Sequence, residues 1–296
     1  GLSVDLIGFH GQTIFHNPLE NNPIENKSIQ LGDGKLLSKL TNKTVIYNFR
    51  ENDLKHGGAG APLIPIFHLL LANKKLRKNE LPVLILNIGG IANATGINHY
   101  DHSKNDQLFA LDIGPGNCLI DKWIRKKSKK KYDENGTVAK SGKINKAILD
   151  KALSNWTSKI YDNSASNNIM WSRSHDIGEY DYSFASNLPL EEGAATITEY
   201  SSEIYSHFIN KLMDVYPKAV IVCGGGRKNK FLMESFEKKI DCPLIKIDEY
   251  GINGDFVESQ AFAYLAIRSY LGLPISFPST TGCKKPTTGG VIVENF

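Results

Sequence analysis

Apolar runs alternate with turns and amphipathic stretches along the whole 296-residue chain, and their periods separate strands from helices. Residues 3–9 read as a strand, 29–31 as a short one, and 34–40 as the start of a helix with Leu36, Leu37 and Leu40 on one side. A strand over 44–47 follows. The glycine-rich loop from His56 to Pro62 then leads into a helix over 65–71, where a proline near the first turn suits helix entry. Strands are expected over 83–87 and 108–112, and a helix over 117–126 places Leu119, Ile120 and Trp123 at helical spacing. The basic, polar residues 127–142 read as an exposed connection. A long helix over 193–213 carries an apolar stripe of Ile197, Tyr200, Ile204, Phe208 and Leu212. Residues 220–222 are apolar throughout, as in a central parallel strand. A last helix over 256–271 groups Val257, Ala261, Tyr264 and Leu265 and stops at Gly272, with Pro274 just beyond. No internal repeat is visible.

This order predicts an α/β protein of two lobes, one over residues 1–81 and one over 82–296, with the tail helix a candidate to pack back on the first lobe. A hydrophobic content of 41% is enough for two real cores. The net charge of +4 is mild, and much of it sits in Arg125-Lys126-Lys127 and Lys129-Lys130-Lys131. No aromatic residue interleaves that run, so a solvated surface ranks above contact with nucleic acid or membrane. Cysteines 118, 223, 242 and 283 show no C-x-x-C spacing, which argues against a zinc knuckle or a secreted disulfide framework and fits a cytoplasmic protein. No apolar run is long enough to span a bilayer, and the first residues lack the pattern of a signal peptide.

Three glycine turns, each following an apolar strand, carry the candidate chemistry: LNIGGIANAT from Leu86, ALDIGPGN from Ala110 and VIVCGGGRKN from Val220. Glycine lets main chain approach an anion closely, and the strand before it holds the turn rigid. Any one of them reads first as a tight turn. Together they suggest a phosphate-handling cleft. Gly89 and Gly90 would offer N–H groups, with Asn93 adding a side-chain donor, while Gly224, Gly225 and Gly226 leave room for a flat base or ribose ahead of Asn229. Neither the dinucleotide fingerprint nor the P-loop pattern is present, which disfavours a Rossmann dehydrogenase and a P-loop kinase.

Asp112 ends an apolar strand just before Gly114, Gly116 and Asn117, so its carboxylate should emerge at the mouth of a cleft, placed to act as general base. Capping of the following helix is an equal reading of the same residue. His10 and Gln12 follow the first strand and suit sugar recognition, although His10 alone reads first as structural. Arg50 could grip a carboxylate with two N–H groups or pair on the surface with Glu51 or Asp53.

The segments GFHGQTIFH, IQLGDGKLL, NFRENDLKHGGAGAPLIP, LNIGGIANAT, LDIGPGNCLID, VCGGGRKN and ESQAFAYLAIRSYLGLP with PSTTGC, in this order over residues 8–283, resemble the 1,6-anhydro-N-acetylmuramic acid kinase family. That family belongs to the actin-like, sugar-kinase and heat-shock ATPase superfamily. The resemblance implies two ribonuclease-H-like lobes with ATP and magnesium between them, the first lobe incomplete. It implies phosphorylation of O6 of the anhydro sugar while water opens the bridge at C1, a step of cell-wall recycling. By motif, Asp112 matches the aspartate that activates the water. Gly89, Gly90 and Asn93 match the second phosphate loop, and Gly114, Gly116 and Asn117 are further candidates for binding the cofactor. Gly224, Gly225, Gly226 and Asn229 match the adenosine loop. His10, Gln12, Arg50 and Asp53 fall in motifs lining the sugar side. A homodimer is also implied, and no protein-only metal site.

Three departures stand out. The family's first phosphate loop, a glycine-serine-aspartate-glycine hairpin, precedes the matched segments, and residue 1 already lies beyond it. Trp171-Ser172-Arg173-Ser174-His175 stands where a Pro-Lys-Ser segment is usual, and Asn48 where an aspartate is usual. Two readings from different classes follow: an active amino-sugar kinase, or a catalytically silent relative that binds the sugar or a partner.

Overall fold

A computed structural model describes residues 4–17, 27–100, 108–164 and 180–294. The chain order is β1 (Leu6–Phe9), β2 (Gln12–Asn17), β3 (Lys27–Leu31), α1 (Gly34–Thr41), β4 (Thr44–Tyr47), α2 (Glu51–Lys55), α3 (Pro65–Lys75), β5 (Val83–Ile88), β6 (Ile91–Ile97) and β7 (Leu108–Pro115). It continues with α4 (Cys118–Lys127), α5 (Thr137–Ser141), α6 (Lys146–Ser164), α7 (Leu190–His207), β8 (Ala219–Cys223), α8 (Lys230–Glu237), β9 (Leu244–Lys246), α9 (Val257–Tyr270), α10 (Pro278–Thr281) and β10 (Val291–Val293).

The larger sheet has the order β7-β6-β5-β8-β9. Strands β5, β6 and β7 form an antiparallel meander, and β8 and β9 run parallel to β5. This is the strand order expected of a ribonuclease-H-like lobe. Both faces of the sheet are covered, which is why β5 and β8 read as unbroken apolar runs rather than as alternating ones. Leu84, Leu86, Val220 and Val222 pack on one side with Ile204, Tyr205 and Phe208 of the α7 region and Leu232 and Phe236 of α8. Val83, Ile85, Ile97 and Ile221 pack on the other with α3 and α9.

The smaller sheet has the order β1-β4-β10, with β1 parallel and β10 antiparallel to β4. Strands β2 and β3 form a separate hairpin. The C-terminal segment from α9 through β10 lies with this lobe, so the first lobe is built from both ends of the chain. Helix α9 crosses β1 so closely that a Cβ at Gly8 would sit 2.5 Å from the Phe262 carbonyl oxygen. Ile46 and Phe49 of this lobe share one apolar cluster with Val83 and Ile221 of the other sheet.

Several expectations need correction. Residues 127–142 are not simply an exposed connection: Asp133 is buried and accepts hydrogen bonds from the Val138 and Ala139 N–H groups at 2.8 and 2.9 Å, starting α5, whose Val138 and Ala139 enter a core. Part of the basic run is used internally, since the Lys127 ammonium donates to the Ser186 and Leu188 carbonyls. The long helix begins earlier than expected, and its end loosens into a π turn over Phe208–Leu212. The segment from Trp171 to His175, with Arg173, lies outside the described residues. Among the described residues, no helix is long and apolar enough to cross a membrane, and all four cysteines are free thiols.

One bond ties the outer helix layer to the end of β7. The Tyr205 hydroxyl, fully buried on α7, donates to the Pro115 carbonyl at 2.6 Å, and burial pushes its pKa far up. Tyr205→Phe leaves that carbonyl without its donor in a dry setting and should lower stability by about 1–3 kcal/mol. Urea unfolding checks this, and an unchanged midpoint would refute it.

Candidate functional site

The site is assembled at one end of the larger sheet, where the last inward-facing positions turn polar. Side chains alternate along a strand, so those in cross-strand register share a face. Asn87 pairs with Asn93 and with Cys223, and Asn93 pairs with Asp112. These four form one rung across β8, β5, β6 and β7. Their face is the one whose deeper rungs, Ile85 with Ile221 and then Val83, Ile97 and Leu108, pack toward α3 and the first lobe. The polar rung therefore looks into the gap between the lobes. A bulge follows at once, since Ala92 pairs with Gly114 while Asn93 pairs with Asp112, and it bends β7 away just past the carboxylate.

The capping reading of Asp112 does not hold. The residue lies inside β7, and Asn117 is the N-cap position of α4. Asp112 is half-buried, and its carboxylate, with those of Glu258 and Asp53, acts on Arg50 across the gap.

Not all the glycines are there for a ligand. A Cβ at Gly116 would fall 2.3 Å from the Gly89 carbonyl oxygen and one at Gly114 2.6 Å from Ile204 Cγ2. At Gly224, with φ of +78°, it would meet the Asn87 Oδ1 at 2.4 Å, and at Gly226 the Ile88 Cγ2 at 2.2 Å. These four are required by packing. Gly225 is different: its nearest neighbour would be the Asn117 Nδ2 at 3.7 Å, and Gly89 likewise meets only ordinary contacts. Open space thus lies over Gly225 and Gly89, and Asn117 stands between the two turns.

The turn N–H groups are less available than their sequence suggests. Gly89 donates to the Ile91 carbonyl at 3.2 Å, so Gly89 and Gly90 form a hairpin turn rather than a free loop. The N–H groups of Gly116 and Asn117 donate to the carbonyls of Gly90 and Gly89 at 3.0 and 2.7 Å. Asn229 caps α8, its Oδ1 accepting from the Leu232 N–H at 3.0 Å beneath Gly136.

On the first lobe, His10 and Arg50 form a pair. Arg50 Nη2 donates to His10 Nε2 at 2.9 Å and Nη1 to the Gly60 carbonyl at 2.7 Å. His10 Nδ1 lies 3.0 Å from the Gly11 carbonyl, so the ring is neutral with its proton on Nδ1. Burial first, and the Arg50 charge second, lower the His10 pKa to about 4. Arg50 Nε is buried with no hydrogen-bond partner among the described residues. Arg50 is therefore not in the surface ion pair that was one reading of it, and Glu51 instead pairs with Lys55.

Asp53 is 0% exposed. Its Oδ2 accepts from the Gly60 N–H and its Oδ1 from the Thr281 hydroxyl, both at 2.7 Å, so it shapes the glycine loop and ties it to α10. Gln12 is exposed at the start of β2. Asn48 takes the left-handed conformation at φ of 57°, which asparagine tolerates better than most residues, and donates to Glu51. His10, Asn48 and Glu51 line a cleft of about 1040 Å³ between α2 and β3, which does not include Asp112.

Two residues at the gap escaped the sequence reading. Asn87 precedes the first glycine turn and is marked only by being the one polar residue in an apolar strand. Glu258, exposed in the first turn of α9, acts on both Arg50 and Cys223 and could be found only once α9 was placed.

Among the described residues, no three His, Cys, Asp or Glu side chains converge as a metal cage. Asp112 and Asn93 are neighbours across β6 and β7 and supply few oxygens, which fits magnesium only as an ion held largely by water and phosphate.

Comparison with known proteins adds the following. The family profile described as Anhydro-N-acetylmuramic acid kinase matches residues 1–295. An anhydro-N-acetylmuramic acid kinase of Pelagibacter ubique is 48% identical over 301 residues, spanning 100% of this chain and 76% of the relative. One of Brucella canis is 38% identical over 98% of this chain and 74% of its own length. Among solved structures, an activator of 2-hydroxyisocaproyl-CoA dehydratase from Clostridium difficile with bound ADPNP is similar at 14% identity and a TM-score of 0.44, covering 84% of this chain and 87% of that one.

Two outcomes test this geometry. Gly225→Ala should leave stability within about 0.5 kcal/mol of the parent, because its Cβ enters open space, whereas Gly116→Ala should cost roughly 2 kcal/mol or more by driving a methyl into main chain. Equal unfolding midpoints for the two would contradict the division of the glycines.

The second is a pH dependence. Burial lowers the His68 pKa to about 4, as burial and Arg50 do for His10, so each stays neutral in the folded chain while the unfolded chain titrates near 6.5. Their contribution is complete above about pH 6.5 and is lost as pH falls toward 4, roughly 1 kcal/mol for each between pH 7 and 5.5. Urea unfolding across that window should flatten in His68→Gln, and an unchanged slope would contradict it.

Proposed function

Because the chain belongs to the anhydro-N-acetylmuramic acid kinase family, we propose that it is an ATP-dependent sugar kinase that hydrolyses the 1,6-anhydro bridge of anhydro-N-acetylmuramic acid and phosphorylates O6. The product is N-acetylmuramic acid 6-phosphate, with ADP, in cell-wall recycling in the cytoplasm. The observation that carries the reading is the polar rung of Asn87, Asn93 and Asp112, which faces Arg50 of the opposite lobe beside two glycine turns.

Asp112 is the general base. Its carboxylate takes a proton from the water that attacks C1, the C1–O6 bond breaks, and O6 carries its electron pair to the γ-phosphorus as ADP leaves. The proton on Asp112 returns to solvent after the product departs. One carboxylate thus serves both events, because the alkoxide that attacks phosphorus is formed by the bond that water opens. Arg50 and His10 form the sugar side. The neutral His10 ring offers no charge of its own, and the orphaned Arg50 Nε is a donor in want of an acceptor, which a sugar oxygen or carboxylate supplies. Gln12, exposed at the head of β2, belongs to the same side, with Asp53 acting through the loop it shapes.

The nucleotide lies over Gly89 and Gly225, where the turns leave space, with Asn117 between them and Asn93 at the phosphate end. Gly90, Gly114, Gly116, Gly224, Gly226 and Asn229 serve this surface by holding its shape. Magnesium, held largely by water and phosphate oxygens beside Asn93, would neutralise charge on the phosphates. Closing the lobes would leave only the attacking water and align the reactants. The working unit is proposed to be a homodimer.

Asp112→Asn is nearly isosteric and should keep the fold while lowering turnover by about 10²- to 10⁴-fold. Purified chain with ATP, magnesium and anhydro sugar, followed by mass spectrometry, gives the measurement. A substituted enzyme as fast as the parent would remove Asp112 from the role.

A further inference from the structure

Arg227 immediately follows the third glycine turn, yet its side chain is only 4% exposed. Its guanidinium makes four hydrogen bonds. Nε and Nη2 donate to the two oxygens of Asp248 at 2.7 and 3.0 Å, and Nη1 donates to Asp255 at 2.7 Å and to the Gly224 carbonyl at 2.9 Å. The segment that supplies the carboxylates passes tightly over the guanidinium, since a Cβ at Gly254 would sit 2.3 Å from Arg227 Nε. Gly254 N–H also donates to Asp248, and Lys228 pairs with Asp255 at 2.5 Å. That segment runs directly into α9, which lies against β1 of the first lobe and carries Glu258 at the gap.

The turn is supported from two sides. Gly224 and Gly226 rest on Asn87 and Ile88 of the sheet, which fixes them from below. The direction of the Gly224 carbonyl is fixed by Arg227, and Gly225, open to the gap, takes its position from both. We propose that Arg227, held by Asp248 and Asp255, is a positioning residue for nucleotide binding: it sets the shape of the Gly224–Gly226 turn and fastens that turn to the segment leading into α9. The proposal rests on the reading of this turn as the nucleotide's seat. Only a planar fork can reach both oxygens of Asp248, Asp255 and a carbonyl at once, so a lysine at this position keeps the charge and loses the geometry. The hydrogen bonds from Arg227 hold the Asp248 carboxyl down to about 2, so the clamp stays ionised across the working pH range.

The test is ATP binding by calorimetry in the absence of sugar, together with KM for each substrate, in Arg227→Lys and Asp255→Asn. Arg227→Lys should weaken ATP by about tenfold or more, and Asp255→Asn, which removes one exposed arm, by about threefold, with the sugar KM within about twofold of the parent. Thermal unfolding supplies the control, because a strut without a positioning role lowers the midpoint and leaves ATP affinity alone. ATP affinity equal to the parent's in both variants overturns the assignment and leaves the nucleotide reading standing. A parent chain that binds no ATP overturns that reading, and this assignment with it. If Arg227→Lys does not fold, Asp255→Asn decides alone.

Discussion

The arrangement at the open end of the larger sheet depends on one contact in which there is no room for a side chain. The start of α4 comes down on the β5–β6 turn so that the Gly116 and Asn117 N–H groups reach the carbonyls of Gly90 and Gly89. A Cβ at Gly116 would lie 2.3 Å from one of those oxygens. This contact gives partners to N–H groups that a helix start leaves unpaired and to the two turn carbonyls. It also fixes where β7 ends relative to β5, and hence where Asp112 stands relative to Asn87 and Asn93. The Tyr205 bond to Pro115 holds the same junction from the outer layer.

The first lobe meets this surface through charge rather than bulk. Arg50 is drawn from solvent, which disfavours its charge, and the carboxylates of Glu258, Asp112 and Asp53 offset that cost. Glu258 comes from α9, Asp112 from the other sheet and Asp53 from α2 of the same lobe, so the guanidinium registers the position of three separate elements. The shared apolar cluster around Phe49, Val83 and Ile221 keeps the lobes together beneath the gap. A packed apolar base and a polar, charged mouth suit a site that takes up a small ligand.

Much of this was legible in residue order, and the failures have physical reasons. Strands β5, β7 and β8 declared themselves because both faces are buried. Strand β6 did not, since Ile91-Ala92-Asn93-Ala94-Thr95-Gly96 is built of small and polar residues, and its Gly89-Gly90 turn reads equally as a hairpin or an anion loop. Strand β10 is three residues long and pairs with β4 over a separation no local pattern records. The apolar positions of α6 do not form a clear stripe, because they divide between two cores: Ile148 packs with the cluster around α4 and α5, and Leu153 and Trp156 with the α7–α8 side of the larger sheet. Asp112 was readable as a carboxylate of this strand, but not as one inside it, because β7 continues past the bulge to Pro115 before α4 begins. Asp53 and Asn229 show the limit most plainly: both sit in segments that resemble a ligand-binding motif, and both spend their oxygens on the protein's own main chain.

The central claim is that Asp112 couples attack by water at C1 to transfer of phosphate to O6 at this one gap. It is tested most directly by mass analysis of the sugar product formed from anhydro-N-acetylmuramic acid and ATP, read against the ADP released. The account predicts that every turnover adds one phosphoryl group and one water together, with one ADP formed for each opened bridge. A phosphorylated sugar with the bridge intact, or an opened sugar formed without ADP, would contradict it.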